Sequence, residues 1–89
     1  MELKDTVQLM ESEDFKDRFV AEYQQTKIRY DRLHKMIVKY EAGKLPFTPV
    51  TPLEVLKKQA SHMGQYLYIL ELRAQLENIE LQLAAGRKR

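Results

Sequence analysis

The sequence predicts an all-α protein: a long antiparallel helical hairpin with a short N-terminal segment, self-associating into a helical homo-oligomer. Three observations support this prediction. Apolar residues recur at steps of three and four along two long stretches of the chain. The chain has three glycines and three prolines, and all of them except Gly64 lie where these stretches end or connect. The second stretch also carries a further apolar stripe that one partner helix cannot cover.

Length and composition limit the classes of protein that need to be considered. With 89 residues, we expect one helical domain, residues 1–89. No apolar run approaches the ~20 residues that span a bilayer, and the acidic first ten residues do not resemble a secretory signal, so we expect a cytoplasmic protein. The absence of cysteine excludes disulfides and thiolate metal sites. A net charge of +2 is too small to predict a nucleic acid or a membrane as partner.

The first long helix is predicted over about residues 13–42. Ser12 is a candidate N-cap followed by two acidic residues, and Gly43 can supply the left-handed conformation that commonly ends a helix. We expect Leu3–Met10 to form a short helix folded onto the long pair. Residues that face the second helix should be those of a 3-4 repeat, namely Tyr23, Thr26, Tyr30, Leu33, Ile37 and Tyr40.

Two prolines predict an extended loop over residues 44–51. Thr51 as N-cap, Pro52 as first helical residue and Glu54 as the other half of a capping box then predict a second helix over about residues 52–85. Gly86 would end this helix, leaving a basic tail of residues 87–89. The matching 3-4 repeat on helix two is Leu53, Leu56, Ala60, Met63, Leu67, Leu70 and Ala74.

A second 3-4 repeat lies on nearly the opposite side of helix two. Helix one carries a similar apolar excess in Val20, Ile28 and Met36. Soluble monomers seldom leave such stripes exposed, so we expect self-association through the C-terminal half of helix two. The predicted interface residues are Ile69, Leu72, Leu76, Ile79 and Leu83.

No pattern in the sequence indicates catalysis. Gly-rich phosphate loops, nucleophile elbows and HExxH motifs are missing, and the two histidines, His34 and His62, lie on different predicted helices. We therefore expect no enzyme activity, no cofactor and no metal.

Several polar and aromatic residues could instead bind a ligand. Lys27, Tyr30 and Tyr23 share one side of helix one, flanked by Arg29, and an aromatic ring beside a cation suits a nucleotide. A solvated face and core tyrosines explain the same residues without a ligand. Arg73 could pair with Glu22 or Glu77, or meet a phosphate. The candidate ligand-binding residues are Tyr23, Lys27, Arg29, Tyr30, Gln59 and Arg73.

The strings Arg18–Ile37 and Leu56–Leu81 resemble a family of small helical phage proteins. The shared positions are Arg18-Phe19, Glu22-Tyr23, Arg29-Tyr30 and Leu33 on helix one, and Gln59, Met63, Tyr66-Leu67, Leu70, Arg73-Ala74 and Ile79 on helix two. The layout is also similar to the hairpin of phage anti-CBASS and anti-Thoeris sponge proteins. Those proteins are non-enzymatic oligomers that bind cyclic oligonucleotides or cyclic ADP-ribose signals in pockets between protomers.

The resemblance implies a phage-encoded anti-defence sponge that binds and sequesters a cyclic nucleotide-type immune signal without cleaving it. Such a protein would act in the cytoplasm of an infected bacterial host. The alternative is a non-enzymatic helical interaction or structural phage protein that binds a protein partner through the apolar stripe of helix two. Binding of nucleic acid by the basic tail is the least favoured interpretation, because three charges give only weak, salt-sensitive binding.

Overall fold

The computed structural model describes residues 1–81. It consists of a short 3-10 helix, Leu3–Thr6, followed by the helices α1 (Val7–Met10), α2 (Phe15–Glu41) and α3 (Leu53–Glu77). The two long helices pack against each other as an antiparallel hairpin, and no strand occurs among residues 1–81. The predicted all-α hairpin is therefore confirmed. Among the described residues, no helix is both long enough and apolar enough to cross a membrane.

The start of α2 differs from the sequence prediction in its capping residue. Asp14, not Ser12, is the N-cap, and its side chain accepts a hydrogen bond from the Lys16 backbone N–H. Ser12 supports this cap from outside the helix: its hydroxyl accepts from the Asp14 N–H and donates to the Asp17 carboxylate. The Arg18 guanidinium donates to the Ser12 carbonyl. Ser12 thus fixes the approach of the chain to the helix, and Asp14 begins it.

Gly43 ends α2 as predicted. Its φ of 73° lies in the left-handed region. The N–H of Gly43 donates to the Tyr40 carbonyl and the N–H of Lys44 to the Lys39 carbonyl, which is the pair of bonds of a Schellman motif. The following residues, 44–52, form no helix or strand, in agreement with the predicted loop.

Both ends of α3 correct the prediction. The helix begins at Leu53 with Pro52 as N-cap, and no side chain provides a capping hydrogen bond, so the expected capping box of Thr51 and Glu54 does not form. The helix ends at Glu77, because Asn78 adopts the left-handed conformation (φ 58°). The N–H groups of Asn78 and Ile79 both donate to the Ala74 carbonyl. The predicted continuation to Ala85, in its part beyond residue 81, and the basic tail lie outside the described residues.

The core lies between the N-terminal half of α2 and the C-terminal half of α3. It contains Phe19, Val20, Tyr23, Leu67, Leu70, Ala74 and Ile79. The two predicted 3-4 repeats meet in this hairpin, because members of both are buried. The buried members are Tyr23 and Ile37 of the first repeat and Leu56, Leu67, Leu70 and Ala74 of the second. Hydrophobic burial along this contact is what stabilises the hairpin.

The N-terminal segment packs on α2. Leu9 contacts the core, and the buried Thr6 hydroxyl donates to the Leu3 carbonyl while accepting from the Gln25 amide. Val20, which we predicted to belong to an exposed apolar excess, is fully buried. That expectation was wrong for Val20 because it treated α2 as covered by helix two alone.

The predicted interface stripe of helix two is only partly exposed. Ile69, Leu72 and Leu76 lie on the solvent-exposed side of α3 and are 48%, 44% and 73% exposed. These three residues are called the outer face below. Ile79 was placed wrongly: the helix has already ended at Glu77, and the turn at Asn78 carries Ile79 into the core of the same chain. Leu83 lies outside the described residues.

Two leucines of α3 test this division between core and outer face. Leu70 is 1% exposed, so Leu70→Ala should lower the free energy of unfolding by about 2 to 5 kcal/mol, because it removes buried methyl groups and leaves a cavity. Leu76→Ala is the matched control, since Leu76 is largely exposed. This substitution should change the free energy of unfolding by about 0.5 kcal/mol or less. Urea unfolding at low protein concentration measures both. Equal losses would contradict the assignment of the core.

Candidate ligand groove

A groove of about 590 Å³ lies between α2 and α3. This volume is in the range of small-molecule sites, ~300 to 1,000 Å³. Two tyrosines, one from each helix, contribute aromatic surface, while Ser61 and Gln65 contribute polar groups. We call it the aromatic groove, and its lining residues are Tyr30, Ala60, Ser61, Gly64, Gln65, Tyr68 and Ile69.

Gly64 lies where the ring of Tyr30 approaches the backbone of α3. A Cβ atom at position 64 would lie 3.5 Å from Cε1 and 3.7 Å from the hydroxyl oxygen of Tyr30. These are ordinary van der Waals distances, so alanine would fit, but a larger side chain would displace the ring. The glycine therefore keeps the floor of the groove open beside the edge of Tyr30.

The ring of Tyr30 already has aromatic and cationic neighbours on its own helix. His34 stacks on it with a centroid separation of 5.9 Å and an interplanar angle of 11°. The Lys27 ammonium lies 6.0 Å from the ring centroid, at the outer limit of a cation–π contact, and pairs with Asp31 at 3.2 Å. Tyr68, in contrast, is 63% exposed and leaves aromatic surface free for a ligand.

Tyr23 is buried in the hairpin. Its hydroxyl donates to the Oε2 atom of Glu71 at 2.7 Å. Burial, then the hydrogen bond to Glu71 and the negative charges of Glu71 and Asp31, raise the pKa of the Tyr23 hydroxyl well above its ordinary value. Tyr23 is therefore a neutral donor that holds Glu71, and its ring is not free to stack on a ligand.

Glu71 also lines a second cleft, of about 630 Å³, at the C-terminal end of α3. Glu80 is its other acidic residue, and we call it the acidic cleft. Because both charges are negative, this cleft is unsuited to phosphate. Its remaining lining residues are Tyr23, Ala74, Gln75, Asn78, Ile79 and Leu81.

Arg73 takes one of the partners considered from the sequence. Its Nε atom lies 3.0 Å from the Glu77 carboxylate one turn on, and its guanidinium lies 4.7 Å from the ring centroid of Phe19. The pair with Glu77 is half exposed, so it contributes little to stability. Within residues 1–81, Arg73 forms no ion pair with Glu22.

The six candidate ligand-binding residues are not brought together at one site. Tyr30 lines the aromatic groove, Lys27 lies at its edge through its contact with Tyr30, and Tyr23 lies farther along the same side at Glu71. Within the part of the chain that the structure describes, the other three line neither the aromatic groove nor the acidic cleft. These three are Arg29, Gln59 and Arg73.

Sequence reasoning missed the residues of α3 that form this side of the hairpin. These residues follow a 3-4 repeat beside the apolar seam, so they lie on one flank of the helix. Ser61, Gly64 and Tyr68 line the aromatic groove, and Glu71 and Gln75 line the acidic cleft. From the sequence, Tyr68 is more readily interpreted as a core residue, and Gly64 stands out only as an exception among the glycines. The repeat, which could have identified the flank, is Ser61, Gly64, Tyr68, Glu71 and Gln75.

Residues 1–81 contain no group of three or more histidine, aspartate or glutamate side chains arranged to hold a metal ion.

The raised pKa of Tyr23 predicts how stability depends on pH. Because the pKa is higher in the folded state than the ordinary value of about 10, the stabilisation is present below pH 10 and is lost as the pH rises above it. Tyr23→Phe should unfold more easily than wild type at pH 8 and lose less stability between pH 9 and pH 11. Tyr68→Phe is the control and should follow the wild-type pH profile. Parallel profiles for wild type and Tyr23→Phe would contradict the role of Tyr23.

A comparison with protein families gives one match. The model of the Sequestin family matches residues 13–76, which include α2, the loop and nearly all of α3. Neither the curated proteins nor the solved structures contain a significant match. The match fits a phage sponge-type family, and the family name is consistent with binding and sequestering rather than catalysis. Since the matched region covers more than half of the chain, this protein belongs to the Sequestin family.

Proposed function

We propose that this protein binds and sequesters a cyclic nucleotide-type immune signal in the aromatic groove without cleaving it. The observation that carries the proposal is the groove itself, in a chain of the Sequestin family: an exposed tyrosine, Tyr68, lies beside polar side chains. A cation, Lys27, lies 6.0 Å from the ring of Tyr30, which also lines the groove. A nucleobase can stack on the ring of Tyr68, while Ser61 and Gln65 offer hydrogen bonds and Lys27 offers its charge to a phosphate.

The ligands that fit this chemistry are cyclic oligonucleotides and cyclic ADP-ribose-type molecules. Both combine planar bases with phosphate groups, so both can use stacking and charge-assisted hydrogen bonds together. In this proposal the protein is encoded by a phage, acts in the cytoplasm of the infected bacterium, and keeps the signal from a host defence effector. A sponge of this kind needs a binding free energy of about −10 kcal/mol or better to hold a dilute signal.

The register of the hairpin supports a role for Lys27 in this site. Tyr23 of α2 contacts Glu71 of α3, and Tyr30 of α2 contacts Gly64 of α3. Lys27 lies between the two tyrosines in the sequence of α2. Its position along the hairpin axis therefore corresponds to the part of α3 between Gly64 and Glu71. Tyr68 is at that level. A phosphate bound by Lys27 would therefore lie beside a base stacked on Tyr68, and would compete with Asp31 for the ammonium group.

We propose that a second copy of the chain packs against the outer face and closes the groove. The groove is open to solvent, and Ile69 belongs both to its lining and to the outer face. A partner helix on the outer face would bury the exposed leucines and also add a wall beside Tyr68. Burial of that apolar area favours association, and an enclosed ligand is held more tightly than an exposed one.

A second candidate function is docking of a different protein on the outer face. The exposure of Ile69, Leu72 and Leu76 is the observation in its favour, because apolar residues clustered on one helix face mark interaction surfaces. In this case the protein would bind none of the signal molecules, and the purified chain would stay monomeric.

Ligand binding is tested with cyclic di-AMP, cyclic di-GMP, cyclic GMP–AMP, cyclic tri-AMP and cyclic ADP-ribose. At about 100 times its dissociation constant a bound ligand should stabilise the fold by ~2.7 kcal/mol, visible as a higher melting temperature. Tyr68→Ala should weaken binding by about 1 to 3 kcal/mol through the loss of stacking. Tyr66→Ala is the matched control, since Tyr66 is exposed but does not line the groove. If no compound raises the melting temperature of the wild type, the ligand proposal fails.

Assembly is tested by light scattering at tens of micromolar protein, a concentration at which weak oligomers are populated. Leu72→Glu combined with Leu76→Glu should lower the solution mass to that of the monomer, because two buried carboxylates would be unpaired at the interface. Val50→Glu, in the exposed loop, is the control and should leave the mass unchanged. A monomeric wild type would refute assembly through the outer face and favour docking of a different protein.

A further inference from the structure

We propose that the half of the hairpin next to the loop captures anionic ligands through its electrostatic field and directs them to the aromatic groove. This inference rests on the proposed function and deepens it, because it assigns the rate of capture to cations that do not line the groove. We call residues 27–67 the loop half. The other described residues, 1–26 and 68–81, are the terminal half.

Charge is segregated between these two halves. Their boundary lies at the same level on both long helices, because Tyr23 contacts Glu71 and Tyr30 contacts Gly64. The loop half contains eight basic and three acidic residues, a formal charge of +5. The terminal half contains four basic and ten acidic residues, a formal charge of −6. These charges nearly cancel in the sum, but a ligand that approaches from solvent meets the local charge.

Helix dipoles do not explain the segregation. A dipole favours acidic residues in the first turns of a helix and basic residues in the last turns. The cations of α2 follow this rule, since they are concentrated towards its C-terminal end. The charges of α3 oppose it, because residues 53–67 carry a formal charge of +1 and residues 68–77 one of −1. What the cations of both helices share is their position near the loop.

Most cations of the loop half are accessible to an approaching ligand. Lys27 pairs with Asp31, and Lys57 pairs with Glu41. The remaining six are exposed and form no ion pair within residues 1–81, so no carboxylate of the described chain neutralises them directly. These six residues are Arg29, Arg32, Lys35, Lys39, Lys44 and Lys58.

The aromatic groove lies in the positive half of the hairpin. Five of its seven lining residues belong to the loop half, and the other two, Tyr68 and Ile69, follow directly at the boundary. All lining residues of the acidic cleft belong to the terminal half. The two clefts have similar volumes, about 590 and 630 Å³, so size does not distinguish them. The field does, because it attracts an anion to the groove and repels it from the cleft.

Two exposed cations lie near the groove without lining it. Lys35 follows Tyr30 by little more than one turn of α2, and Lys58 precedes Ser61 by about one turn of α3. Long-range attraction acts before contact, so such cations raise the association rate and leave the dissociation rate nearly unchanged. Fast association suits a sponge, because the signal must be bound before it reaches its effector.

The test compares two double variants that change the net charge equally. Lys35→Gln with Lys58→Gln removes two cations from the loop half, and Lys4→Gln with Lys16→Gln removes two from the terminal half. All four lysines are exposed and form no ion pair within residues 1–81. Surface plasmon resonance on the full chain, immobilised through a biotin tag, measures both rate constants. The probes are cyclic di-AMP, cyclic di-GMP, cyclic GMP–AMP, cyclic tri-AMP and cyclic ADP-ribose.

At ~0.01 M salt, where the Debye length is ~30 Å, the loop-half variant should associate about two- to tenfold more slowly than the wild type. Its dissociation rate and its melting temperature should stay unchanged, since neither lysine lines the groove or belongs to the core. The terminal-half variant should associate at nearly the wild-type rate. At ~1 M salt the Debye length falls to ~3 Å, and all three proteins should associate at the same rate.

The other outcomes separate this inference from the proposed function. Equal association rates for the wild type and the loop-half variant at low salt would overturn the inference and leave the sequestering function in place. Equal slowing in both double variants would assign the effect to net charge and also overturn it. Faster dissociation with unchanged association would make the two lysines contact residues, contrary to the inference. If the wild type binds none of the five compounds, the proposed function fails and the capture mechanism fails with it.

Discussion

The register between α2 and α3 depends on two places where a tyrosine of α2 reaches across to α3. Tyr23 meets Glu71 through a hydrogen bond of 2.7 Å, and Tyr30 meets the bare backbone of Gly64. The two tyrosines are seven residues apart on α2, and Gly64 and Glu71 are seven residues apart on α3. Seven residues are about two turns of an α-helix, so the two contacts have the same spacing on both helices. A slip of one turn would separate the Tyr23 hydroxyl from Glu71 and push the Tyr30 ring against a side chain. The hydrophobic seam holds the helices together, and these two tyrosines determine how they align.

Helix periodicity made the hairpin predictable, because it is repeated over many residues. The two seams agree with each other, and Gly43 supplies a left-handed residue where the first one ends. Single-residue signals were less reliable. Asp14 competes with Ser12 for the same capping role, and both side chains are used, so the motif alone does not identify the first helical residue. At Asn78 a non-glycine residue adopts positive φ, which is uncommon and could not be anticipated from a pattern that continues beyond it.

The site was less predictable than the fold for a related reason. Periodicity identifies which face of a helix is buried, and the binding residues predicted from the sequence are basic, aromatic and amide residues on or beside that face. The groove instead lies on a flank beside the seam, and one of its determinants is the absence of a side chain at Gly64. Tyr23, a predicted ligand-binding residue, is buried and bonded to Glu71, whereas Tyr68, which suits a core position in the sequence, is exposed. Only the packing of α2 on α3 distinguishes them.

The position of Ile69 links the proposed ligand site to the proposed assembly. It borders the aromatic groove and also belongs to the outer face, so any protomer that packs on the outer face alters the groove, and any ligand in the groove alters the surface offered to that protomer. Coupling between two binding events is reciprocal: if association strengthens ligand binding by some factor, ligand strengthens association by the same factor. A sponge built in this way would assemble more completely as the signal accumulates. The affinity of one isolated protomer would then understate the capacity of the assembled protein to hold the signal.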